Sequence, residues 1–118
     1  MDISCFTEVY NYWKQNPQLW IAIQNQKQAD KEVYDKWFDI LNLFSQQEYI
    51  SNVNNFSKEC LIGYIIYLDQ FQRHFDRYLN IERNINLIIN RIHCITLLYK
   101  QNEQFWLTLS EDQLYFCL

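Results

Sequence analysis

One glycine and one proline in 118 residues leave this chain almost no means of turning tightly. Sheets need that punctuation at each hairpin, where glycine supplies left-handed backbone and proline a pre-set φ. The apolar residues point the same way, because they recur at three- and four-residue steps and do not alternate. The sequence therefore predicts an all-α fold of antiparallel helical hairpins, about five helices in one domain spanning 1–118. With 49% hydrophobic and 18% aromatic residues the chain has the material for a core, which excludes a disordered chain.

Ser4 is placed to cap a first helix in which Phe6, Val9, Tyr10 and Trp13 form one apolar stripe. That helix stops at Asn16-Pro17, where Asn16 as cap and Pro17 at the first helical position begin a short segment carrying Leu19, Trp20 and Ile23. Asp30 is expected to open the next helix. Val33, Trp37, Ile40, Leu41 and Phe44 share its apolar face, and Lys31, Glu32, Asp35, Lys36 and Asp39 its solvated one. Residues 45–55 read as a loop, and Ser57 or Asn55 caps the helix after it. After Asn80, Ile81, Ile85, Ile88, Ile92, Ile95 and Tyr99 mark a long helix packed by ordinary helix-on-helix contact. A loop near 100–104, an apolar anchor at Phe105 and Trp106, and a capping box at Ser110 and Gln113 complete the pattern.

A formal net charge of −4 and ten dispersed basic residues exclude a general binder of phosphate backbones, so no nucleic-acid partner is expected. Cys5, Cys60, Cys94 and Cys117 stand too far apart for zinc-ligand spacing and read as small buried hydrophobes in a reducing compartment. The N-terminal residues lack the basic and apolar regions of a signal peptide, and no apolar run is long enough to span a bilayer. A cytoplasmic protein with no membrane partner is the expectation.

The densest information lies in Cys60–Tyr78, CLIGYIIYLDQFQRHFDRY. Leu61, Tyr64, Ile65, Leu68, Phe71 and Phe75 make one stripe, and Ile62 and Ile66 a second. A helix with two apolar faces is sandwiched between neighbours and should be the most buried element. Extending the second stripe by helical steps leads to Asp69 and then Arg73, an i, i+4 pair predicted to be partly buried.

This segment resembles domain-of-unknown-function family 924, whose signature reads approximately LALIILLDQFPRNIFR. Leu68, Asp69, Gln70, Phe71, Arg73 and Arg77 fall on its matching positions. Val9–Trp13 resembles the family's VLDFWF-like opening, and Asp30, Val33 and Trp37 its D-x-x-I-x-x-x-F pattern. Gln72 stands for the family's proline, His74 for its asparagine, Asp76 for an aromatic residue and Asn84 for a usual aspartate. Residues 111–118 resemble the stretch just before the family's P-x-x-HSE motif, which implies a domain truncated at its C-terminus relative to the family. The resemblance implies a tetratricopeptide-like, right-handed α-superhelix and no established activity.

Asp69, Gln70, Arg73, His74 and Arg77 are the candidate site residues, and two readings of them stay open. In one, Asp69 and Arg73 form a buried structural latch that fixes the helices of an interaction module, whose groove takes a peptide or helix of a protein partner. In the other, Asp69, Arg73 and His74, with Arg77, line a polar pocket of a small-molecule-binding protein or enzyme, the arginine forks suiting carboxylate or phosphate. His74 titrates in the right range for a general base, but no GxSxG, neighbouring cysteine or glycine-rich loop accompanies it. No catalytic residue is assigned on that account. Two histidines, His74 and His93, do not specify a metal, and no cofactor motif is present. Trp13, Trp20, Trp37, Phe44 and Phe75 are expected in the core, whereas Tyr34, Tyr49, Tyr67 and Tyr78 lie at the edges of the apolar faces and suit a binding surface.

Overall fold

The computed structural model of the chain describes residues 4–19, 25–42 and 55–80. Every element there is helical, and no strand occurs among the described residues. In order they are α1 (Ser4–Gln15), a 3-10 turn (Pro17–Leu19), α2 (Gln26–Leu41), α3 (Lys58–Ile66), a π turn (Tyr67–Phe71) and α4 (Gln72–Tyr78). The last three continue one another as a single rod. The all-α expectation holds for the described residues. The helix expected after Asn80, the loop over 45–54, the capping box at Ser110 and Gln113, and Trp20, Ile23, Phe44, Tyr49, His93, Cys94 and Cys117 lie outside the described residues.

The stripe in α1 is buried as its spacing requires: Phe6, Val9, Tyr10 and Trp13 all face inward. Asn16 serves both neighbouring elements. Its amide donates to the Tyr12 carbonyl at 2.7 Å, closing α1, and its carbonyl accepts from Leu19 N–H at 3.0 Å, closing the 3-10 turn. Ser57 caps α3, its Oγ accepting from Cys60 N–H at 3.2 Å.

The start of α2 differs from expectation. Asn25 is its cap, with a side-chain oxygen accepting from Gln28 N–H, and Asp30 lies one turn inside the helix, 4% exposed. Along α2 the buried line is Val33, Trp37 and Leu41, while Ile40 is 48% exposed. Four-residue steps overshoot a 3.6-residue turn, so the buried face has rotated by Leu41 and leaves Ile40 about 100° behind it.

From Cys60 to Leu68 every residue is buried, Gly63 included, so the two-faced helix is the centre of the core. Gly63 sits where α1 crosses α3. A Cβ built there would lie 1.7 Å from the Phe6 carbonyl oxygen and 2.6 Å from its carbon, so the two backbones touch. The contact lets Phe6 pack its ring against Tyr64 and Tyr67, at centroid separations of 5.0 and 5.7 Å. Tyr67, expected at an edge, is 1% exposed for this reason, and its hydroxyl reaches Asn42 Oδ1 at 3.5 Å.

Beyond Ile66 the rod changes pitch. Gln72 N–H bonds the Tyr67 carbonyl, an i to i+5 closure that inserts one residue into the turn. Side chains past the turn are set back by about one position, roughly 100° around the axis. At the far end Asn80 adopts φ 53°, the left-handed conformation that stops helices, with its N–H bonded to the Arg77 carbonyl at 3.2 Å. α2 and α4 pack antiparallel: Asp30 meets Arg77, Tyr34 meets Tyr78, Phe38 meets Phe75 and Trp37 meets Phe71.

Candidate functional site

The polar residues gathered inside this packing are Asp30, His74 and Arg77. Asp30 shares the apolar face of α2 because it precedes Val33 by three positions and Trp37 by seven. His74 and Arg77, three apart on α4, lie on the face turned to it. His74 is 1% exposed, and its Nδ1 stands 2.7 Å from Asp30 Oδ1. Arg77 Nε donates to both carboxylate oxygens of Asp30 at 3.1 Å, and Gln26 Nε2 donates to Oδ1 at 2.8 Å. Arg77 Nη2 also approaches Asp30 Oδ1 at 3.1 Å, although the arginine side chain itself stays 42% exposed.

An ionised carboxylate only accepts, so the 2.7 Å contact assigns the proton of the neutral imidazole to Nδ1. Burial alone would raise the Asp30 carboxyl, but the hydrogen bonds from Arg77, His74 and Gln26 outweigh it and hold the group below its ordinary 3.8. His74 is pushed below its ordinary 6.5, by burial first and then by the charge of Arg77, against the opposing pull of Asp30. The cluster at neutral pH is thus a carboxylate, a neutral imidazole and a guanidinium, with no net charge. The His74 ring also meets Trp13 of α1 edge-on, with centroids 6.1 Å apart. One imidazole therefore contacts both α1 and α2.

Asp69, Gln70 and Arg73 form a separate group on the surface. Arg73 Nη2 donates to Asp69 Oδ1 at 3.2 Å, Gln70 Nε2 donates to Asp69 Oδ2, and the Arg73 and Asp69 side chains are 45% and 38% exposed. The pair is half-exposed, less buried than a latch at the end of an apolar stripe would be. The π turn is the reason: with one residue inserted, His74 stands where a regular helix would have carried position 73, and the stripe from Ile62 and Ile66 ends on the imidazole. The five candidate residues are thus divided, with His74 and Arg77 joined to Asp30 and the other three joined to one another.

A third feature borders the first. Tyr34 stacks on Phe38 at 4.5 Å and on Tyr78 at 4.3 Å, a three-ring ladder across α2 and α4 whose outer ring, Tyr78, is 41% exposed. Leu79, beside it, is 39% exposed. Trp13, Trp37 and Phe75 are core residues, as their stripes predict.

Cys60 is buried and its thiol is pushed up to about 12 by that burial, so it is a poor nucleophile. Among the described residues no three His, Cys, Asp or Glu side chains converge on a metal position, and no helix is long and apolar enough to cross a membrane. No family model matches the chain, and comparison with curated proteins and with solved structures gives no match.

Proposed function

We propose that the chain is a tetratricopeptide-like interaction module, in which the Asp30–His74–Arg77 network locks α4 to α2 and the adjoining aromatic face receives a peptide or helix of a protein partner. The observation that carries this reading is the Phe38–Tyr34–Tyr78 ladder, which ends in a half-exposed tyrosine beside a half-exposed arginine. Tyrosine and arginine are the residue types that concentrate binding energy at protein interfaces, because each offers a large rigid surface together with donors. The partner chemistry that suits them is an apolar side chain flanked by a carboxylate.

Two observations support the superhelical, family-924-like part of the reading. Asp30 and Arg77, both positions of the resemblance, are 47 residues apart in sequence and bonded in space. α2 and α4 also run antiparallel, as paired helices of such a superhelix would. The alternative reading, a pocket formed by Asp69, Arg73 and His74, draws less from the geometry, since His74 is enclosed and turned toward Asp30 while Asp69 and Arg73 bond each other.

The test is selection of peptides from a displayed random library on the full chain, with affinity then measured against Tyr78→Ala. Enriched peptides should lose at least about tenfold in affinity on that substitution, the scale of an interface hot spot, with the unfolding midpoint of the protein retained. Failure to enrich any peptide, or equal affinity for the variant, would overturn the proposal.

A further inference from the structure

We propose that His74 is an acid-sensitive release for the packing of α4 on α2: a proton taken up at Nε2 puts a second cation beside Arg77 inside the helix interface. Three observations carry it. First, the ring is 1% exposed and is held between α4 itself, Asp30 of α2 and Trp13 of α1. Second, Nδ1 already donates to Asp30, so the only lone pair open to a proton is at Nε2. Third, Arg77 Nη2 lies 3.3 Å from His74 Nδ1, which makes the guanidinium an immediate like-charge neighbour of an imidazolium.

Among the described residues, the charged groups facing the ring are Asp30 from α2 and Arg77 from α4, and α1 contributes the uncharged Trp13 ring. Asp30 is already satisfied by Arg77 and Gln26 and neutralises one positive charge. Protonation leaves one uncompensated cation in a site almost closed to water. Opening the α2–α4 interface lets water reach the imidazolium, and with it the Tyr34–Tyr78 stack that spans the same interface is lost.

The direction in pH is set by the histidine's ordinary 6.5 and its lowered value in the fold. Above 6.5 both folded and unfolded chains carry a neutral ring, and the full stability is present. Below 6.5 the unfolded chain binds the proton first, so stability falls as pH falls, until the folded ring also titrates. One proton limits the slope to about a tenfold rise in the unfolding constant per pH unit.

The experiment is urea unfolding of the full chain at pH 7.5 and 5.5, for the wild type, His74→Gln and His93→Gln. The wild type and His93→Gln should show a lower midpoint at the acidic pH, while His74→Gln, whose amide still donates to Asp30, should show little change. An unchanged wild-type midpoint, or an equal drop in His74→Gln, overturns the proposal. If His74→Gln does not fold, NMR titration of the wild-type histidine rings decides. One ring should titrate below the ordinary value, together with shifts of the Tyr34 and Tyr78 ring signals. Two ordinary titrations, or a low one that leaves the tyrosine signals unmoved, would refute it.

Discussion

Gly63→Ala sets two well-known effects against each other and the structure decides between them. In an exposed helix interior the change would stabilise by about 1 kcal/mol, the difference in helix propensity. At this crossing the new Cβ would stand 1.7 Å from the Phe6 carbonyl oxygen, whereas real Cβ contacts are essentially never under 3.0 Å, so α1 must retreat by more than an ångström. The obstacle is backbone and cannot rotate away. Phe6, Val9, Tyr10 and Trp13 would be drawn from the core together. Burial of four such side chains contributes roughly 6–12 kcal/mol at about 1.5–3 kcal/mol each. A gap of 0.5–1 Å already forfeits about a quarter to a half of a dispersion contact. If neighbouring side chains follow α1 far enough to leave a gap of about 0.5 Å, the loss is about a quarter, or about 1.5–3 kcal/mol, to which strain of about 1–3 kcal/mol is added. After the propensity gain, the net expectation is a destabilisation of about 3 kcal/mol. Urea unfolding at neutral pH measures it directly. A variant as stable as the wild type, or more stable by the propensity increment, would show that the two helices do not touch through backbone here.

Asp30→Ala should cost about 3 kcal/mol, since it strands a buried imidazole N–H and removes charge-assisted bonds, whereas Asp69→Ala should cost under about 0.5 kcal/mol because its pair is half-exposed. Urea unfolding of the two variants side by side checks the contrast, and equal costs would mean that the surface pair is as structural as the buried one. At Asn80, φ 53° predicts that Asn80→Gly is neutral or slightly stabilising and Asn80→Val costs about 1–2 kcal/mol, read as shifts of the thermal midpoint.

Much of the architecture is legible in the sequence because it depends on period alone. The stripe Phe6, Val9, Tyr10, Trp13 and the two-faced run from Leu61 to Leu68 are repeated signals, so each residue corroborates the next and the burial follows. Asp30 misleads for the opposite reason. An aspartate before an apolar run has the appearance of a cap, and only its tertiary partners, 44 and 47 positions away, show it to be interior. Its position three residues before Val33, on the buried face, is the available signal. Asn25 fits the cap position equally well, so the local rule has two solutions and long-range pairing chooses between them.

The π turn explains why the sequence puts the candidate site one residue out of place. Extrapolation along a helix assumes a constant angle per residue, and a single inserted residue at 67–71 breaks the assumption for everything downstream. The two stripes respond differently. Phe71 and Phe75 remain buried because α1 and α2 present rings on both sides: Trp13 lies 5.8 Å from Phe71, Trp37 5.9 Å from it, and Phe38 5.2 Å from Phe75. A broad aromatic stripe tolerates the rotation. The narrow Ile62–Ile66 stripe does not, so Arg73 swings toward solvent and His74 takes the interior position. This division has a chemical consequence. An Asp–Arg latch would keep its charges at any pH near neutrality, because arginine stays protonated throughout. A latch that includes a buried imidazole is fixed only while that ring is neutral, so the inserted residue leaves the Asp69–Arg73 pair on the surface and sets a titratable ring against the Asp30–Arg77 pair inside.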